Sequence, residues 1–124
     1  KGSALYEAML AAYRGGAVIA ASGAGATVLC DPMVDPRGGA YTVGLGFVEG
    51  LAVFPNHAGA ASHLLARSIE LKPSDAILVG VDAETALVRE PGAEWSVAGA
   101  GNVTVYSDGS PTAYAAGATG LALP

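Results

Sequence analysis

Three short apolar runs do most to limit what this chain can become: residues 17–21, 51–55 and 76–81. None contains a charged side chain, and none alternates polar with apolar positions. Strands that look like this are buried on both faces, as in a parallel sheet. Parallel neighbours need a long crossover, usually a helix. The chain supplies helical patterns around these runs. Residues 3–14 place Leu5, Met9 and Ala12 at spacings of three and four, with Ser3 as cap and Gly15-Gly16 as the stop. Residues 24–29 fit a short helix limited by Pro32. Residues 58–71 put Ala61, Leu64, Leu65 and Ile69 on one side. Strand, helix, strand, helix, strand makes an α/β domain.

Beyond residue 82 the pattern changes. "TALVRE", "EWSVAG" and "NVTVYSDG" are short β-rich pieces divided by Pro91-Gly92, Gly99–Gly101 and Asp108-Gly109. They read as an antiparallel meander. Residues 31–44, with Pro32, Pro36 and Gly38-Gly39, read as a loop. Residues 110–124 carry no strong signal, and no internal repeat has a fixed period. The 124 residues make one domain.

Composition excludes several function classes. Net charge is −5 with no basic stripe, which argues against nucleic acid as a partner. The apolar stretch from Ala17 to Cys30 is broken by Gly23 and Gly25 and falls short of the ~20 residues a membrane helix needs. A single cysteine excludes an internal disulfide framework. Two histidines and scattered acids have no metal-ligand spacing, so neither metal nor cofactor is expected. With no basic start leading into an apolar middle, the chain reads as cytoplasmic.

The first run ends in "AASGAGA", a strand delivering the chain onto a turn at the mouth of a helix. Nucleophiles of the G-x-S-x-G elbow sit on such a corner. Here the middle position is Gly23, which has no side chain to react. Ser22 is the nearest hydroxyl, but successive strand side chains point to opposite faces. Cys30 falls about two turns further along and reads as a small buried hydrophobe. "GAGA" lacks both the Lys-Ser/Thr ending of a phosphate loop and dinucleotide spacing. The amides of Ala24 and Gly25 open a helix and are candidates to hold an anion.

Four segments together resemble the cyanophycinase and peptidase E family of serine hydrolases. "GGAVIAASGAGATVLCDPM" looks like that family's strand, elbow and helix, and "VGLGFVEGLAVFPNH" like its loop, strand and catalytic histidine. "VGVDAETALV" looks like its G-[IV]-D-E-x-T-A-L segment, and "VAGAGNVTVY" like the hairpin that follows. The match runs from about residue 3 to about residue 108 and covers only the second half of such a protein. The resemblance implies a class I glutamine amidotransferase-like three-layer α/β sandwich, here its C-terminal half, with parallel strands followed by the meander.

The resemblance also implies a Ser-His-acid triad, and the chain departs from it. His57 stands at the general base, Gly23 at the nucleophile, and Ala83 at the position of an acid. Glu84, one residue on, is a candidate substitute acid, and Asp82 is expected to hold the turn by accepting backbone amides. His63 reads as a surface or edge residue. With two of three positions lost, the expected role is a non-catalytic binding or structural subunit. The alternative is an active serine peptidase or acyl hydrolase using Ser22 or a residue from a second chain. An engineered serine-to-glycine change would account for Gly23 but not Ala83. Three apolar strands with helices for part of their surface imply a companion chain carrying the N-terminal half, a homo-oligomer, or an upstream part of the same polypeptide.

Overall fold

The structure is a computed structural model that describes residues 1–124. Helix α1 spans Ala4–Arg14, where the Ser3 hydroxyl accepts the Tyr6 N–H at 3.1 Å and Gly15 ends the helix. Helix α2 spans Ala24–Leu29. Four two-residue strands follow: β1 (Cys30–Asp31), β2 (Met33–Val34), β3 (Tyr41–Thr42) and β4 (Val48–Glu49). Next come β5 (Leu51–Pro55), a 3₁₀ turn at His57–Gly59 and helix α3 (Ser62–Glu70). The rest is β6 (Ile77–Val81), β7 (Thr85–Arg89), β8 (Trp95–Gly99), β9 (Asn102–Tyr106) and β10 (Thr112–Ala115).

The main sheet has the order β10-β9-β6-β5. Strands β5 and β6 are parallel, with Val53 opposite Val79 and Phe54 opposite Gly80, and α3 makes the crossover between them. Strand β9 runs antiparallel to β6, placing Tyr106 opposite Leu78. Because side chains alternate, the sheet buries two different faces. Leu51, Val79 and Val103 pack with Trp95 and Val97 of the β7–β8 hairpin and with Leu121. Ala52, Phe54 and Leu78 pack with Val34 and, from α3, Leu64 and Leu65. The apolar runs at 51–55 and 76–81 are thus covered on both sides, as their composition requires.

Several expectations need correction. Residues 17–21 are not a strand. They join no ladder, and Val18 is 91% exposed. The chain contributes no strand beside them, and without ladder partners an extended segment gains nothing from burial of its backbone. Helix α1 has no buried residue and touches the rest through Tyr6 and Tyr13, whose rings meet Phe47 edge-on. The helix expected over 58–71 divides into the 3₁₀ turn and α3, separated by Ala60 and Ala61 in extended conformation. Residues 31–44 contain the short β2–β3 pair. The meander is also divided: β7 and β8 form their own hairpin, whereas β9 joins the main sheet. The tail is structured, with β10 on β9 and Leu121 bridging Trp95. Cys30 lies at the end of α2 rather than within it.

Candidate functional site

A polar cluster sits on one face of the sheet, where β5 and β6 end. Beyond Pro55, Asn56 takes a left-handed conformation (φ 49°), which asparagine tolerates better than most residues. This bend turns the chain into the 3₁₀ turn that begins with His57. The imidazole lies directly on Gly80, where any added Cβ would collide with the ring carbons of His57. Gly80 is therefore the gap in β6 that receives the ring.

Strand alternation explains the rest of the cluster. Leu78, Gly80 and Asp82 share one side of β6 and its continuation, and Tyr106 faces Leu78 on the neighbouring strand. The His57 ring over Gly80 therefore has Tyr106 diagonal to it and Asp82 just beyond. Its Nε2 lies 2.7 Å from the Tyr106 hydroxyl. Its Nδ1 lies 3.6 Å from Asp82 Oδ1, too long for a hydrogen bond but close enough to bias the ring's proton toward that side. The His57 and Asp82 side chains are 15% and 14% exposed. Burial holds the Tyr106 hydroxyl above the ordinary phenol range.

Asp82 is fixed independently of the histidine. Its Oδ1 accepts the Ala58 N–H at 3.1 Å and its Oδ2 accepts the Asn102 N–H at 2.9 Å. Gly101 makes room for it, since a Cβ there would approach Asp82 Cβ to 2.8 Å. Asp82 thus ties together the 3₁₀ turn, the end of β6 and the start of β9. It accepts backbone amides and also supplies the carboxylate nearest His57. Ala83 and Glu84 are exposed at the turn that follows. Glu84 has a left-handed backbone (φ 55°) and contributes its carbonyl to the Ala100 N–H, while its carboxylate makes no ion pair or hydrogen bond. The acid beside the imidazole is Asp82, and Glu84 takes no part.

Gly23 is the N-cap of α2, with φ 55° and ψ −132°, the sharp corner of an elbow, which a residue with a side chain could occupy only under strain. A Cβ at Gly23 would meet nothing within 4 Å. Ser22 is exposed, and its hydroxyl makes no hydrogen bond with His57 or any other residue. Its carbonyl accepts the Gly25 N–H at 3.0 Å, so of the two amides expected to hold an anion only that of Ala24 is uncommitted to this turn. Cys30 is buried, and burial pushes its thiol up to about 11. His63 is exposed on α3, apart from the cluster. No group of three or more His, Cys, Asp or Glu side chains comes together as a metal site. No helix is long and apolar enough to cross a membrane.

The sequence reading missed Tyr106 and Gly80 and undervalued Asp82. The usable signal was the period of two: in "LVGVDA", Gly80 and Asp82 fall on one face and Ala83 on the other.

No protein-family model matches the chain, and no curated protein matches it. Among solved structures, it is similar to a crystal structure of a peptidase from an acI-B1 Actinobacterium, with a TM-score of 0.62 and 29% identity. The match covers 77% of this chain and 42% of that one, so the chain spans less than half the length of the peptidase it resembles. The fold is a mixed α/β, peptidase-like one.

Proposed function

We propose that the chain is a cyanophycinase- or peptidase E-like protein, the C-terminal half of a class I glutamine amidotransferase-like sandwich. In this reading it serves as a non-catalytic binding or structural subunit. The observation that carries the proposal is Gly23: the residue at the elbow has the backbone of a nucleophile and no nucleophile. A hydrolytic triad needs a hydroxyl or thiol against the imidazole, and a glycine offers none. The similar peptidase supports the fold class.

The same reading assigns a partner. Met9, Ala12, Tyr13, Ala17, Val18 and Ile19 line one apolar groove, and Leu5 on the same helix is 72% exposed. A companion chain carrying the N-terminal half would pair with residues 17–21 and cover this surface. A homo-oligomer is the second arrangement that would do so.

A second reading has one observation in its favour. Asp82 and His57 are still adjacent, so a base and its acid survive the loss of the nucleophile. An active hydrolase would then draw on Ser22 or on a residue of the companion chain. Hydrolysis of acidic and amide-bearing peptides by the purified chain separates the readings. Turnover equal to that of buffer supports the binding subunit. Turnover that Ser22→Ala abolishes overturns it.

A further inference from the structure

We propose that Tyr106 caps the basic nitrogen of His57, standing where a hydrolytic triad would place its nucleophile's hydroxyl. The inference rests on the register of β6 and β9 and holds whether or not the chain hydrolyses anything.

Three placements carry it. Gly80 fixes the ring, since only a residue without Cβ leaves space for the imidazole on β6. The β6–β9 register fixes the phenol, with Tyr106 opposite Leu78 and two residues from the Gly80 gap on the same face. Asp82, held by two backbone amides, fixes the charge beside Nδ1. A carboxylate on that side favours the proton on Nδ1, so Nε2 carries the lone pair. The Tyr106 hydroxyl then donates to Nε2 across 2.7 Å. The phenol is a poor replacement nucleophile, because its burial resists formation of the phenolate. Tyr106 is therefore a positioning residue. It holds the His57 ring in place and denies Nε2 to any ligand that does not first displace the phenol.

Carbethoxylation with diethyl pyrocarbonate tests the cap, because the chain carries its own reference. His63 is exposed and the only other histidine. In the unaltered chain His57 is expected to react more slowly than His63. Tyr106→Phe keeps the ring and removes the hydroxyl, and the His57:His63 rate ratio is expected to rise about tenfold, the equivalent of one lost hydrogen bond. An unchanged ratio in a folded Tyr106→Phe protein would overturn the cap. Should that variant fail to fold, imidazole ¹⁵N spectra of the unaltered chain decide. An Nδ1–H tautomer with an acceptor Nε2 supports the proposal, and an Nε2–H tautomer refutes it.

Discussion

His57 Nε2 and the Tyr106 hydroxyl lie 2.7 Å apart, brought together by a glycine on the strand between their elements. If Gly80 is the seat of the imidazole, Gly80→Ala must move the ring. Overpacking of this kind costs about 1–3 kcal/mol. The expected signature is loss of the His57–Tyr106 contact in NMR spectra together with a lower urea midpoint. Gly23→Ala is the control. It incurs the strain of a positive φ, about 1–3 kcal/mol, but leaves the His57 resonances in place.

Asp82 and Ala83 make opposite predictions. Asp82→Ala removes a carboxylate that accepts two backbone amides and is expected to cost about 2 kcal/mol while loosening His57. Ala83→Glu returns an acid to the position the family resemblance indicates, but that position is exposed. It should change stability by less than about 0.5 kcal/mol and leave the imidazole spectrum unaltered. Denaturant unfolding and the His57 resonances measure both.

Cys30 is expected to be silent in the native state. Its thiol is buried and pushed up to about 11, so Ellman's reagent at pH 8 should label it only after unfolding. The sign of the pH effect follows from linkage. Between the ordinary thiol value of 9.0 and about 11 the unfolded chain loses its proton first, so stability falls as pH rises through that window. Cys30→Ser should flatten the slope there.

The exposed apolar surface around Leu5 and Val18 should make the isolated chain associate at micromolar concentration. Sedimentation of Val18→Lys is expected to shift toward the monomer. A sharply melting monomer formed by the unaltered chain would show that this surface needs no cover.

The sequence exposed some of this and hid the rest for definable reasons. The runs at 51–55 and 76–81 were readable as buried strands because both faces of their sheet are covered within the chain. The run at 17–21 has the same composition but no ladder, so composition alone could not distinguish it. The elbow at Gly23 followed from local glycine chemistry, a signal carried within a few residues. Tyr106 could not be found that way. Its pairing with His57 spans 49 positions and depends on a strand register that no local pattern encodes. Asp82 was legible in principle through strand alternation, but motif alignment drew attention to the residue beside it.

At the elbow of this chain Gly23 offers no nucleophile. Intact-mass analysis after treatment with a fluorophosphonate probe tests it most directly, because only an activated hydroxyl is phosphonylated in stoichiometric yield. An unmodified mass is expected for the unaltered chain and for Ser22→Ala alike. Stoichiometric labelling that maps to Ser22, and disappears in Ser22→Ala, would contradict it.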